Sequence, residues 1–451
     1  MKLYSKDDSY TLYNDNMMNL SEDIAPCSID SIVTDPPYEL GFMGKSWDRS
    51  GIAFQADTWK KCYEVLKPGG YMLVFGSSRT FHRIACAIED AGFEIRDTIM
   101  WLYSQGFPKS TNIGLALDKK LGVESDVVGV STNGSGASYV KLVNHEKGDT
   151  GVGYLDGSGK VFDLKEPVSD IGKQFKGWGT QLKPAYEPIL IARKPCEGGC
   201  VDNVYKYGVG GINIDECRIP FEDTPNPATN PLYRKENGYK INYGVDSDPS
   251  SYALKHEPGE MQIDSRGRFP SNVILSYDDE TYDEVCGGMP DSEGCKLHRI
   301  YSSVDSYDGW GTITKKSGEL VGYDDNGGSA SRYFYCAKAS RRDRNEGLPE
   351  HLKNIHPTVK PISLMQYLIR LVTPKGGTIL DPFNGSGSTG KAVMYENRDD
   401  LKDYKYIGIE LTEDYCAISK ARIEYAKSDL SKLQVSSTTK KQNGMKVKKF
   451  F

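Results

Sequence analysis

The sequence predicts an α/β protein whose sheet is largely parallel and whose strands are in circularly permuted order. Three observations carry this. Apolar strand-like runs alternate with amphipathic helical segments from Tyr10 to Tyr103, the spacing of strands joined by crossover helices. The same alternation stops and returns only at His356–Ala426, where one strand and one helix follow a glycine-rich turn. That half is too short to complete a sheet, so its missing strands must come from the N-terminal half. Third, residues 195–355 are irregular, rich in Tyr and Gly and acidic in their middle. A loop that long is improbable inside a compact domain, so a separate inserted domain with its own small core is expected.

In chain order, Tyr10–Tyr13 is expected as a short strand ending at Asn14-Asp15. A second strand, Ser31-Ile32-Val33-Thr34, ends at Asp35. Thr58–Leu66 has helical periodicity and stops at Lys67-Pro68-Gly69-Gly70. Tyr71–Phe75 is an apolar strand, Thr80–Ala91 a helix ended by Gly92, and Phe93–Tyr103 a long strand. Residues 104–187 form a long insertion rich in Gly, Ser and Lys, nearly structureless by composition at Ser131–Ser138. A sheet strand is expected at 188–194, where Pro188 argues for an edge or a strand start. After 195–355 come a helix from Ser363 to Val372, a strand at Thr378–Leu380, a helix through Tyr395, a strand at Tyr406–Glu410 and a helix from Glu413 to Ala426. The tail, 427–451, is lysine-rich with Asp429 its only acid, and is expected to be disordered.

The totals exclude several classes. With 38% hydrophobic and 26% charged residues in 451, the chain is globular in composition and large enough for more than one core. No run approaches a membrane span, and the first residues lack an apolar leader core, so no membrane and a cytoplasmic location are expected. Ten cysteines without a CxxC pair fit reduced thiols. Cys196, Cys200, Cys217, Cys286 and Cys295 are better explained as buried thiols than as a zinc set, and no metal is expected. The net charge of −6 argues against a non-specific nucleic-acid coat, but charge is segregated. Acids outnumber bases about two to one between Glu216 and Asp325, whereas Lys338, Arg341, Arg342 and Arg344 form a basic cluster that is either solvated surface or a phosphate-contacting face.

Two motifs carry chemistry. Asp35-Pro36-Pro37-Tyr38 ends a strand with an acid, two fixed φ angles and a ring. Proline removes amide donors and leaves carbonyls free to accept; an ionised Asp accepts only; Tyr38 offers a stacking face. The set suits a planar molecule bearing an NH2 group. Gly385-x-Gly387-x-x-Gly390 is the Rossmann-like fingerprint, and Glu410, 20 residues past Gly390, stands at the tip of the next strand, the place for an acid on ribose hydroxyls. Asp381-Pro382-Phe383 between strand and glycines lines the approach with an acid and an aromatic ring. A ligand with one nucleoside and a charged amino-acid group, S-adenosylmethionine (AdoMet), fits this better than a dinucleotide.

Taken together, the chain resembles the amino-methylating DNA methyltransferases of the permuted class, in which the catalytic motif precedes the AdoMet motif. Asp35–Tyr38 matches the catalytic motif, Asp381–Gly390 the AdoMet motif, His356-Pro357-Thr358-Val359-Lys360-Pro361 the motif just before it, and Asn14-Asp15 the acidic turn that approaches the adenine. Phe42-Met43-Gly44-Lys45, Gly177–Thr180 with Leu182–Ala192, and Arg332-Tyr333-Phe334 resemble a phage and bacterial sub-group. Val359 and Asn14 depart from the family, which usually has Gln and Gly there.

The resemblance implies a circularly permuted Rossmann-like, AdoMet-dependent methyltransferase sheet with a large inserted target-recognition region. Its domains would be a catalytic half at 1–103, an insertion at 104–187 that shares DNA contact with 195–355, the strand at 188–194, and an AdoMet half at 356–426. Catalytic residues would be Asp35, Pro36, Pro37 and Tyr38. AdoMet would be held by Asp15, His356, Thr358, Lys360, Asp381, Pro382, Phe383, Gly385, Ser386, Gly387, Thr389 and Glu410. Double-stranded DNA would be the substrate, its target base flipped out, with the loop Glu39–Asp48 (Phe42, Lys45, Trp47) closing over it. Asp at the first motif position leans the family towards N6 of adenine; N4 of cytosine is the alternative. The resemblance leaves open a homodimer, and a cognate restriction enzyme or none, in a bacterial or phage-infected cell. A non-catalytic AdoMet-binding module is the reading of a different class, and the intact Asp35 and Tyr38 oppose it.

Overall fold

The chain begins with a hairpin: in the computed structural model Leu3–Lys6 (β1) pairs antiparallel with Tyr10–Asn14 (β2). Asp7 makes the turn, accepting from the Ser9 and Tyr10 amides at 2.6 and 3.0 Å. The structure describes residues 1–41, 46–103, 110–131, 140–142, 162–219, 268–276, 334–336 and 343–442, with short strand segments between 291 and 329. Ile29–Thr34 (β3) is buried at every position, as a strand covered on both faces must be. Ala56–Val65 (α1) follows, burying Trp59, Cys62 and Val65 on one stripe.

The strand Leu66–Phe75 (β4) starts directly after α1. The helix stops before Lys67-Pro68-Gly69-Gly70 as expected, and these residues then form a bulge in β4: Ile29 pairs with Leu66 but Ser31 with Tyr71. Asn203 holds the bulge, donating to the Pro68 carbonyl at 2.9 Å. Phe81–Asp90 (α2) and Glu94–Tyr103 (β5) follow as expected.

Tyr186–Arg193 is a strand (numbered β9 after the strands of the smaller unit), and it lies inside the sheet, antiparallel to β4 and next to β5. The edge placement suggested by Pro188 is therefore wrong; its paired register starts at Ile189, so the proline is tolerated at the strand start. Cys200–Tyr207 (α5) caps this region. Val273–Ser276 (β10) and Tyr335–Cys336 (β11) pair in parallel and extend the same sheet. Within 195–355, Val273–Ser276 and Tyr335–Cys336 thus extend the main sheet, with Ile274 and Leu275 fully buried, while the short strands between 291 and 329 pair among themselves.

The last half supplies Ile362–Val372 (α6), Thr378–Asp381 (β12), Ser388–Asp400 (α7), Lys405–Glu410 (β13) and Glu413–Gln442 (α8). The final helix continues to Gln442, so the first part of the lysine-rich tail expected to be disordered is helical; residues 443–451 lie outside the described ones.

The sheet order is β1-β2-β13-β12-β3-β4-β9-β5-β10-β11. Alternate residues of its central strands are buried on both faces: Met72, Val74, Leu190, Ala192 and Leu380 join the core of α1 and α2, while Leu73, Phe75, Ile189, Ile191 and Ile379 are buried on the other. β3 and β12 are parallel neighbours, yet the chain leaves β3 through α1 towards β4 and leaves β12 through α7 towards β13, in opposite directions along the sheet. Such a switch point opens a crevice at the carboxyl ends of the two strands.

Residues Tyr103–Tyr186 form a compact unit of their own. It contains Ile113–Leu121 (α3), Asp170–Gln174 (α4) and the antiparallel strands Asp126–Ser131 (β6), Val140–Leu142 (β7) and Phe162–Glu166 (β8), in the order β7-β6-β8. Its organiser is buried Asp118, which accepts from the Ser125 hydroxyl, the Val168 amide and Ser169. Trp178, in the Gly177–Thr180 motif, is 62% exposed while its backbone carbonyl accepts from the Ile113 amide.

Candidate active site

The crevice at the switch point is built on a buried carboxylate. Asp381, at the end of β12, accepts from the hydroxyls of Thr34 and Thr389, both at 2.6 Å, and from the Phe383 amide at 3.1 Å. Burial pushes its carboxyl up to about 6, against the pull of these hydrogen bonds. Thr34 ends β3, so the strand preceding Asp35 and the turn preceding the glycines are tied together at their tips.

Asp35 stands one residue beyond. Its Oδ2 pairs with the Lys360 ammonium at 2.6 Å and its Oδ1 accepts from the Tyr38 hydroxyl at 2.8 Å. Tyr38 also lies 2.8 Å from Glu187 Oε2, and Lys360 reaches Tyr38 at 3.1 Å and Glu187 at 3.4 Å. The ammonium sits 4.9 Å from the centre of the Phe75 ring. Burial favours the neutral amine, but the carboxylates of Asp35 and Glu187 outweigh it and hold Lys360 above its usual value. Burial and the same two carboxylates push Tyr38 well up, so it is a neutral phenol. The Thr80 hydroxyl fixes the Tyr38 carbonyl at 2.9 Å.

The segment after Tyr38 is closed on itself. Asp48 accepts from the Glu39 and Leu40 amides, and Glu39 in turn accepts from the Gly51 amide at 2.8 Å. Phe42, Met43, Gly44 and Lys45, expected in the closing loop, lie outside the described residues. Trp47 is described: its ring lies nearly parallel to that of His356, with centres 6.3 Å apart. His356 also meets the Tyr415 ring edge-on at 4.7 Å. Its Nδ1 bonds the Thr358 carbonyl at 3.0 Å, and burial lowers its pKa to about 4.

The glycine turn connects β12 to α7. Gly385 and Gly387 have φ of 51° and 75°, which L side chains rarely adopt. A Cβ at Gly387 would also stand 2.9 Å from the Ser419 Cα, so α8 packs directly on the turn. The Gly385 amide donates to Glu410 Oε2 and the Thr412 amide to Oε1, both at 2.8 Å. The carboxylate is thereby oriented at the tip of β13, with burial raising its pKa against these amides. From beneath, fully buried Arg422 donates to the Ser386 carbonyl at 2.6 Å and to the Asp343 carbonyl at 2.9 Å.

The structure thus brings Asp35, Tyr38 and Lys360 to one point, and Gly385, His356 and Glu410 to another beside it. Pro36 is buried and Pro37 half-buried next to Asp35. Lys360, expected at the cofactor, faces Asp35 and Tyr38, its ammonium drawn to the carboxylates of Asp35 and Glu187. Thr389 and Ser386, also expected at the cofactor, spend their polar groups inside the protein, on Asp381 and Arg422. Phe383 packs near Trp59, with ring centres 6.2 Å apart, and Pro382 is buried. Asp15 lies at the sheet edge beside β13, its amide on the Glu410 carbonyl, but its carboxylate is taken by the Lys2 and Asn16 amides and by Asn19. Sequence reasoning missed Glu187 and Arg422. An acid at the head of an otherwise apolar strand, and an Arg in the apolar stripe of α8, were the available signals. Arg332, Tyr333, Lys338, Arg341 and Arg342 lie outside the described residues, as do Cys286 and Cys295.

Comparison with known proteins decides the family. The model of the DNA methylase family, covering N6 and N4 enzymes, matches residues 29–421. The chain belongs to this family. Among its relatives, the type II methyltransferase M2.MboI of Moraxella bovis is 42% identical over 73 residues, 16% of this DNA methylase and 24% of that protein. The DNA adenine methyltransferase YhdJ of Escherichia coli K12 is 33% identical over 89 residues, 20% of this chain and 28% of that one. The methylase spans about a quarter of the length of these curated relatives. The solved PvuII DNA methyltransferase (cytosine-N4-specific) is 13% identical with a TM-score of 0.38, over 94% of this chain and 92% of that one.

Proposed function

We propose that this DNA methylase transfers the methyl group of AdoMet to the exocyclic amino group of a base in duplex DNA, with N6 of adenine the favoured acceptor. The observation that carries the proposal is the Thr34–Asp381 link, which sets the acceptor motif and the glycine turn at adjacent strand tips. The donor set fits AdoMet. Glu410 presents an oriented carboxylate for ribose hydroxyls, Gly385 and Gly387 keep the turn free of side chains, and the acids Asp35 and Asp381 suit a cationic ligand. Asp15, His356 and Phe383 would border it. Bound there, AdoMet supplies an electrophilic sulfonium methyl.

The protein's own part is to prepare the nucleophile. An exocyclic amino nitrogen is weak because its lone pair is delocalised into the ring. Asp35 accepts one N–H and the Pro36 carbonyl the other, which localises the lone pair on nitrogen. Each Asp35 oxygen already accepts one hydrogen bond, and a carboxylate oxygen has a second lone pair for the incoming group. Tyr38 stacks on the base and fixes its plane. Flipping the base out of the duplex costs roughly a few kcal/mol. The smaller unit, with exposed Trp178 and with Lys173 and Lys183 near it in sequence, is the proposed DNA-contacting insertion.

The preference for adenine rests on Asp35 at the first motif position and on the kinship with a named adenine enzyme. Incubating the protein with methyl-labelled AdoMet and unmethylated duplex DNA, then digesting to nucleosides, tests it. Label in N6-methyladenine is expected. Label in N4-methylcytosine transfers the assignment to the other amine. Bound AdoMet without labelled DNA overturns the enzyme reading.

A further inference from the structure

A second carboxylate stands at the catalytic motif, outside every motif that pointed to the site. Glu187 is the second residue of β9. Both groups it meets, Tyr38 and Lys360, are the ones that hold Asp35. The Tyr38 hydroxyl is 2.8 Å from each carboxylate, but a phenol has one proton and donates to one of them at a time. Lys360 spans the same pair, at 2.6 Å from Asp35 and 3.4 Å from Glu187. The one phenol proton and the one ammonium are thus shared between the two carboxylates.

We propose that Glu187 is a positioning residue of the methyl-transfer site, accepting the Tyr38 hydrogen bond and pairing with the Lys360 ammonium when the target amino group donates to Asp35. The inference rests on the methyl-transfer reading above. With Glu187 present, the phenol and the ammonium have somewhere to turn, so Asp35 is released to the substrate while Tyr38 keeps its ring position. Without it, both donors stay on Asp35 and weaken its acceptance from the amino group. No covalent step is assigned to Glu187.

The groups facing Lys360 are Asp35 and Tyr38 beyond β3, Glu187 on β9, His356 in its own segment, and the Phe75 ring on β4. Removing the Glu187 charge takes away one of the two carboxylates that hold Lys360 protonated, so Lys360 loses its proton at a lower pH.

The test is single-turnover transfer of labelled methyl to unmethylated duplex DNA by the full chain, as wild type, Glu187→Gln and Glu187→Asp, from about pH 6 to about pH 10, with AdoMet binding measured by calorimetry. Glu187→Gln is expected to slow transfer about tenfold or more, to leave AdoMet affinity within about twofold, and to bring an alkaline limb down into this range, above which the wild-type limb lies. Glu187→Asp keeps the charge, and is expected to move the limb back out of the range with part of the rate. An unchanged rate in Glu187→Gln overturns the proposal, as does a slower rate with no limb in the range, which is what mere loss of packing gives. A wild-type protein that binds AdoMet but labels no DNA sinks the methyl-transfer reading itself, a different result from either.

Discussion

The hydroxyl of Thr34 donates to the carboxylate of Asp381 at 2.6 Å, joining residues 347 positions apart in the chain. One precedes Asp35–Tyr38 and the other opens the glycine turn. A buried carboxylate needs its donors, so this contact aligns the two halves of the site and stabilises both strand ends. Thr34→Val keeps the shape and removes one donor. It is expected to lower unfolding free energy by about 1–3 kcal/mol in urea titrations. Thr389→Val acts on the same carboxylate, so the double variant is expected to depart from the sum of the two.

Two neighbouring groups impose opposite pH dependences. Burial raises Asp381 from 3.8 to about 6, so between these values the folded state keeps a proton that the unfolded state has released, and stability falls as pH rises. Burial lowers His356 from 6.5 to about 4, so there the unfolded state holds the extra proton, and stability rises with pH. The two windows overlap and offset each other. Asp381→Asn is therefore expected to make the melting temperature climb more steeply from about pH 4 to about pH 6 than in wild type, and His356→Asn to make it fall.

Lys194 is buried under α1, donating to the Tyr63 and Leu66 carbonyls at 2.7 and 2.8 Å, with its ammonium 4.4 Å from the centre of the Tyr63 ring. It satisfies carbonyls that a helix C-terminus leaves open, where a cation is also favoured by the helix dipole. Lys194→Met is expected to destabilise by about 1–3 kcal/mol, seen as a lower urea midpoint with an unchanged slope.

Arg422 holds the glycine turn to the Asp343 segment through a fork of donors. A lysine keeps the charge but cannot span both carbonyls. Arg422→Lys is expected to lose about 1.5–3 kcal/mol of stability and to weaken AdoMet binding measured by calorimetry. Asp15→Asn, whose carboxylate partners lie at the N-terminal sheet edge, is expected to affect AdoMet binding less.

Much of this was legible in the sequence because strand–helix alternation and turn chemistry are local. β3, β12 and β13 fell where Ile, Val and Leu cluster, and the loops carrying Asp35 and Gly385 followed from them. Neighbouring strands were harder. Pro188 argued for an edge or a strand start by a local rule; β9 is interior, and its pairing with β4 starts one residue after the proline. The helix stop before Lys67–Gly70 was legible, but the bulge these residues make in β4 was not, because it is held by a tertiary contact with Asn203. The pairing of Lys360 and Glu187 was not legible for one reason: it arises from a charge cluster assembled across the end of β3, β9 and the segment before α6, which no spacing encodes.

In the proposed reaction Asp35 activates an amino group while the glycine turn holds AdoMet. Asp35→Ala tests it most directly, with methyl transfer to duplex DNA and AdoMet binding measured on the same preparation. Transfer reduced on the order of a hundredfold or more, with AdoMet affinity within a few-fold of wild type, is the result expected. Unchanged turnover would contradict the account.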